Sequence, residues 1–384
     1  MAKKKKVRAD FRKNRNVRAR KTDWTQQFDK HGFAEQSPDS QERVSGKGDI
    51  SRRRTVHASA SEAGPSSGEM PFDMVLDVDE AACLRGRVLM VHGLTSTVEA
   101  EGGAIYHCAT RRILKTLTTD QRSPVAAGDC VLFRPVENSQ PLEGLIGRVE
   151  PRHGTVSRSI RGRRQVLVTN VDQFLIIASA AEPRLKANLV DRMLVAAEKG
   201  RLPPIICINK VDLIDLADLE PLVGVYSRMG YRVLLLSAKT GFGIDRLRRA
   251  VAGRASVVAG QSGVGKSSLL NAIDPGLHLR VASINADTEK GCHTTTTARL
   301  LPIALGGYVV DTPGLRQFEL WDVIPEEVSG YFRDLRPYVN ACRFPDCTHT
   351  HEDGCAVKDA VADGQLDDRR YESYCHLLEG QEES

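Results

Sequence analysis

Apolar positions along this chain fall into distinct regimes. Between residues 72 and 160 they form short runs at 86–91, 97–100, 104–108, 129–133 and 144–149, separated by turn residues. Short strands at near-regular spacing predict a small β-barrel. Between 166 and 330 the runs at 174–178, 204–208, 233–236, 255–259 and 308–310 are continuously apolar, as buried strands of an α/β sheet are. Leu189, Met193, Leu194 and Ala197 fall on one helical face between two of these runs, with Gly200 as a stop. Residues 299–304, Gly306-Gly307 and 308–311 read as a hairpin. Residues 331–384 suggest a small α-rich module. Residues 1–70 contain few large apolar residues, so burial there cannot offset backbone entropy and a disordered arm is expected.

Charge sharpens this division. The net charge of +5 hides an asymmetry, because Lys3 to Lys6, Arg52-Arg53-Arg54 and scattered arginines make the first 56 residues strongly basic and leave the remainder acidic. A basic arm points to a polyanion, and RNA phosphates are the expected partner rather than a membrane surface, since no apolar helical face accompanies the charge. No run of 18 apolar residues suggests a membrane span, and no apolar stretch follows the basic N-terminus as in a secretory signal. A cytoplasmic protein without a membrane partner is expected. Nine cysteines in such a protein favour metal binding or free thiols over disulfides. Cys83, Cys108, Cys130 and Cys207 sit in or beside apolar runs and read as core thiols.

The chemistry lies at the ends of the apolar strands. Gly260-Gln261-Ser262-Gly263-Val264-Gly265-Lys266-Ser267 follows the strand at 255–259 and precedes Ser268-Leu269-Leu270, a helix start. Strand, glycine-rich loop and helix make a phosphate-binding loop: backbone N–H groups turn inward and the helix N-terminus adds partial positive charge. Lys266 is expected to reach the β- and γ-phosphates and Ser267 to bind Mg²⁺. Asn209-Lys210-Val211-Asp212 follows the strand at 204–208. A carboxylate there can accept two hydrogen bonds from a guanine edge, where adenine would leave it unpaired. Ser237-Ala238-Lys239 looks like the partner loop offering a backbone N–H to the base, and Asp311-Thr312-Pro313-Gly314 like the segment that senses Mg²⁺ and the γ-phosphate. Ligands of open α/β sheets bind at this strand edge. Cys342, Cys347, Cys355 and either His349 or His351 offer the donors of a closed Zn²⁺ site.

The motif order is unusual. The base-reading segments precede the phosphate loop, whereas most GTPases have them after it, so the chain reads as circularly permuted. This order and the flanking modules resemble the ribosome small subunit-dependent GTPase A family over roughly residues 72–375. The resemblance implies an OB fold at 72–160, which the residues alone do not distinguish from another small barrel, a permuted GTPase at 166–330 and a zinc-binding helical module at 331–384. It implies GTP hydrolysis to GDP with Mg²⁺, late maturation of the small ribosomal subunit with binding to its rRNA, and release after hydrolysis. It favours His349 over His351 in a structural site for one Zn²⁺, and Thr295 over Thr294 as the Mg²⁺-sensing threonine. Arg111, Arg112 and the arginines from Arg148 to Arg164 are expected on phosphates. The position after Gly314, where Ras-like GTPases carry a water-orienting glutamine, is Leu315. His293, in the threonine loop, is the candidate to orient water instead. A monomer is expected. The rivals are an RNA-binding module that uses GTP as a regulatory ligand with little turnover, and a GTPase with protein or membrane partners.

Overall fold

A computed structural model describes residues 5–10, 53–60, 74–76, 79–111, 124–160, 163–279, 298–311 and 325–379. The chain divides into two compact units, 1–125 with 129–151, and 126–128 with 152–384.

The first unit contains strands where disorder was expected. β1 (Lys5–Asp10) pairs antiparallel with β2 (Arg53–Ala60), and β2 with β3 (Met74–Leu76). The register sets Val7 against Val56 and Arg8 against Thr55. Pairing satisfies the backbone groups of segments that bury little alone. β1 and β2 are the parts of the expected disordered arm that are described, and the rest of the arm lies outside the described residues.

The barrel follows the predicted runs. β4 (Leu84–His92), β5 (Thr95–Ala100), β6 (Ile105–Thr110), β7 (Cys130–Pro135) and β8 (Glu143–Val149) take the order β4-β5-β6-β8-β7, and β4 pairs back onto β7. All pairs are antiparallel except β6 with β8. Closure in this order, with one parallel pair, is the OB topology, which periodicity alone left open. Val88, Val98, Cys108, Val131, Phe133 and Ile146 fill the interior. Gly86 and Gly144 make room for the Phe133 ring, since a Cβ at either would stand within 3 Å of it. Cys108 is buried as expected, whereas Cys130 is exposed at the first position of β7 and Cys83 is half-buried.

In the second unit β9 (Val156–Ile160) and β10 (Arg163–Val168) form an antiparallel hairpin. β11 (Gln173–Ser179), β12 (Pro204–Asn209), β13 (Arg232–Leu235), β14 (Arg254–Ala259), β15 (Arg299–Pro302) and β16 (Gly307–Asp311) take the order β13-β12-β11-β14-β16-β15. The pairs are parallel apart from the hairpin of β15 with β16. β11 and β12 are buried at every position, which explains their lack of alternation. The helices are α1 (Ala187–Lys199), α2 (Glu220–Arg228), α3 (Ile244–Val251) and α4 (Lys266–Ile273). Arg248 of α3 donates to the carbonyls of Ala272 and Ile273, closing the C-terminus of α4.

The C-terminal segment adds α5 (Pro325–Tyr331), α6 (Arg336–Val339), α7 (Ala356–Ala362) and α8 (Asp368–Glu379). Val328, Phe332, Leu335, Val357, Leu366, Tyr374 and Leu377 share one core with Val195 of α1. This module therefore belongs to the body of the GTPase unit. No helix among the described residues is long and apolar enough to cross a membrane.

Candidate active site and metal centre

The phosphate loop runs from the end of β14 into α4. Gly265, at φ +92°, is the N-cap of α4, and a Cβ there would stand 2.4 Å from Asn209 Nδ2. A Cβ on Gly260 would stand 2.2 Å from the Ile177 carbonyl oxygen. Both glycines are therefore dictated by close backbone approach. Lys266 Nζ donates to the carbonyls of Gly260 and Gln261, at 2.7 Å each, and so holds its ammonium across the loop. Ser262 and Gly263 are exposed at the turn, Val264 packs into the core, and Ser267 and Ser268 open α4 half-buried.

Asn209, at the end of β12, ties this loop to the loop at 237–239. Its Nδ2 donates to the Val264 carbonyl at 2.9 Å, and its Oδ1 accepts from the Ala238 N–H at 3.1 Å. The Ser237 hydroxyl donates to Asp212 Oδ1 at 2.6 Å and accepts from the Thr240 N–H at 3.1 Å. That bond from Ser237 holds the Asp212 carboxyl below its ordinary value and keeps it an acceptor. Asp212 is exposed beside it, free to face a base edge, while Val211 is buried. Lys210 adopts the left-handed conformation, φ +62°, and its Nζ donates to the Glu182 carbonyl. Lys239 is exposed next to Ala238.

Four strand ends thus converge. β11, β12 and β14 are parallel neighbours, and β16 lies beside β14 with Asp311 at its last position. Gly314, His293, Thr294, Thr295 and Arg112 lie outside the described residues. Arg148 departs from its expected role: its guanidinium pairs with Glu150 at 2.7 Å and Glu80 at 2.8 Å, and is committed within the barrel unit.

The second centre is in the C-terminal module. Tetrahedral Zn²⁺, with bonds of about 2.3 Å to sulfur and about 2.0 Å to nitrogen, requires S···S near about 3.8 Å and S···N near about 3.5 Å. Cys342 Sγ and Cys355 Sγ are 3.9 Å apart, and His349 Nδ1 lies 3.4 and 3.5 Å from them. With Cys347 the four donor atoms lie within 4.8 Å of one another, so the set fits the ion. Burial lowers the His349 pKa and favours the neutral, ligating imidazole. Burial also pushes the Cys347 thiol up to about 12, a shift that a bound cation would reverse. Burial disfavours the Glu352 carboxylate, yet bonds from Thr348 and Thr350 outweigh it and hold the carboxyl well below its ordinary value. Those bonds fix the loop around His349, whose φ is +62°. His351 instead contacts Thr350 outside the cluster, and Cys375 is not among the donors.

Sequence reasoning missed a buried ionic cluster. Asp191 on α1 is fully buried and lies 2.5 Å from Arg370 of α8, which is 3 % exposed. Arg370 also forms a fork with Asp334, at 2.9 and 3.0 Å. Nothing in the local pattern of Asp191-Arg192 or Arg369-Arg370 marks which charge turns inward.

A family model described as RsgA GTPase matches residues 149–321. The Small ribosomal subunit biogenesis GTPase RsgA of Sodalis glossinidius (strain morsitans) is 39 % identical over 301 residues, covering 77 % of this chain and 85 % of the relative. Its namesake from Yersinia enterocolitica serotype O:8 is 38 % identical over 309 residues, covering 78 % and 85 %. Among solved structures, YjeQ from Thermotoga maritima has a TM-score of 0.64 and 37 % identity, covering 78 % of this chain and all of that one. YloQ, a circularly permuted GTPase, has a TM-score of 0.59 and 31 % identity, covering 77 % and 94 %. With the base loops ahead of the phosphate loop in sequence yet beside it in space, and with relatives this similar over most of their length, the chain belongs to the RsgA family of circularly permuted GTPases.

Proposed function

We propose that this chain hydrolyses GTP during late maturation of the small ribosomal subunit, bound to that subunit's rRNA, and leaves after hydrolysis. The observation that carries the reading is the Asn209 bridge between the phosphate loop and the Ala238 N–H, which joins phosphate and base recognition in one frame. The OB barrel, a shape suited to single-stranded nucleic acid, and the ribosomal role of the named relatives support the ribosomal partner.

In this reading the loop 260–268 cradles the phosphates, and Lys266 exchanges its two carbonyls for β- and γ-phosphate oxygens. Asp212 reads the guanine edge while the Ala238 N–H and Lys239 flank the base. Ser267, with Thr295, would hold Mg²⁺, which offsets charge on the phosphates. The Asp311–Gly314 segment would sense the γ-phosphate, and His293 would orient the attacking water. Zn²⁺ on Cys342, Cys347, His349 and Cys355 is structural. The chain works as a cytoplasmic monomer with no membrane partner.

The test is multiple-turnover phosphate release with purified small subunits, large subunits and whole ribosomes. Stimulation by small subunits alone is expected. Turnover indifferent to subunits would overturn the ribosomal reading, and negligible turnover in every arm would favour an RNA-binding module with GTP as a regulatory ligand.

A further inference from the structure

Helix α1 stands between the nucleotide loops and the C-terminal module, and both of its ends are engaged. At its N-terminal end, the segment leading in from β11 lies against the nucleotide site. The Glu182 carbonyl accepts from Lys210 Nζ and from the Ser179 hydroxyl. Pro183 Cδ is 3.7 Å from where a Cβ would stand on Gly263. Val190 and Met193 share a cleft with Gln261 and Val264 of the phosphate loop.

Further along, α1 meets α8 through charge. Asp191 faces Arg370, and Arg370 forks onto Asp334. Tyr226 of α2 donates to Asp191 Oδ1 at 2.8 Å. Burial pushes the Asp191 carboxyl up against the pull of Arg370, while Asp191 and Asp334 overcome burial to hold Arg370 charged. α8 also grips the Cys/His loop: Tyr371 donates to the His349 carbonyl and Tyr374 to the Thr348 carbonyl, each at 2.8 Å. A second grip reaches the base side. Arg333 donates to Glu198 Oε1 at 2.6 Å and to the Met229 carbonyl at 3.3 Å, and lies 4.2 Å over the Tyr231 ring, just ahead of β13.

A buried ion cluster adds little stability over well-packed apolar residues, but it punishes misalignment, because any displaced partner is left desolvated and unpaired. A guanidinium fork also fixes orientation. We propose that Arg370 is a positioning residue for the GTP site. Its cluster locks the C-terminal module to α1 in one register, and α1 sets the 179–186 segment behind the phosphate loop. Metal loading of the Cys/His loop and nucleotide binding are then linked, and linkage is reciprocal. This rests on the zinc reading above, and metal analysis separates failure of that reading from failure of the link.

The experiment uses the full chain, zinc-loaded and chelator-stripped. It measures GDP affinity by calorimetry, zinc release with and without GDP, and KM for GTP. The variants are Arg370→Lys and the pair Asp191→Leu with Arg370→Met, which removes both facing charges and leaves Tyr226 the Ala187 carbonyl at 3.4 Å. In the unaltered chain, stripping should weaken GDP about tenfold, and GDP should slow zinc loss by the same factor. Both effects should fall to near unity in the paired variant, with one zinc per chain retained and KM raised several-fold. A mere loss of folded protein would lower kcat and leave KM alone. Arg370→Lys, which keeps the charge without the fork, should lose most of the effect and serves alone if the pair does not fold. An unaltered chain whose GDP affinity ignores zinc, or a variant keeping the full tenfold, overturns the proposal. Absence of bound zinc from the unaltered chain overturns the metal reading, and an unchanged KM in the variants then overturns the positioning role.

Discussion

The Asn209 amide spends both its ends inside the protein, on Val264 and Ala238, so the proposed base reading falls to Asp212. Asp212 is exposed, carries one hydrogen bond from Ser237 and retains acceptor capacity for a guanine edge. Asp212→Asn replaces that acceptor pair with an amide. GTP affinity should fall by about two orders of magnitude, and xanthine nucleotides, whose edge suits an amide, should gain. Calorimetry with both nucleotides checks this, and equal GTP affinity would remove Asp212 from the site. At this scale the sequence was legible wherever a residue type is forced by sterics or donor chemistry: Gly260, Gly265 and the Cys/His donors. It was illegible where a charge turns inward to meet a residue far along the chain, as Asp191 does with Arg370. Water activation is tested at His293. With Leu315 unable to hydrogen-bond, His293→Ala should keep near-normal affinity for GTP and subunits yet lose most of the subunit-stimulated rate. Single-turnover hydrolysis on saturating subunits, equal in variant and parent, would assign the water to backbone or RNA.

Among the elements, the strands of barrel and sheet were readable because each is short, apolar and closed by turn residues. The barrel's closure was not, since the β4–β7 pairing is a long-range relation that no local pattern encodes. Helix α1 was half readable. Its apolar face gave Met193, Leu194 and Ala197 to the core as expected and left Leu189 half-buried, but Val195 joins the C-terminal core instead. That shared core changes what a defect in the module should do. Phe332 is fully buried, packed edge-on against Tyr374 at 5.6 Å and beneath the Arg370 guanidinium at 4.4 Å. Phe332→Ala should cost about 3–5 kcal/mol. Because the core includes α1, denaturant unfolding should show the loss in the transition that releases bound nucleotide. A separate early transition that leaves nucleotide binding untouched would mean that the module folds apart from the GTPase.

Across the whole molecule, charge is the property that separates the N-terminal arm from the rest. The arm's arginines and lysines precede a body that is acidic in balance, and Arg148, one basic group expected on RNA, is consumed by Glu80 and Glu150. Polyanion binding should therefore depend on residues 1–56 more than on the barrel's own arginines. Each phosphate contact releases condensed counterions and adds roughly 0.7 to 0.9 to the slope of log affinity against log salt. Deleting residues 1–56 should weaken binding to small subunits at low salt and flatten that slope by several such steps. The difference between the full and shortened chains should shrink as salt rises. β2 lies across the cut, and its removal with β1 dismantles the β1-β2-β3 sheet. A charge-only variant separates the two effects: Lys3, Lys4, Lys5 and Lys6 changed to Gln leave the backbone intact. It should recover part of the slope change, in proportion to the charges removed. A full-length slope from the shortened chain would make the arm a solubilising tail and move the RNA contacts elsewhere.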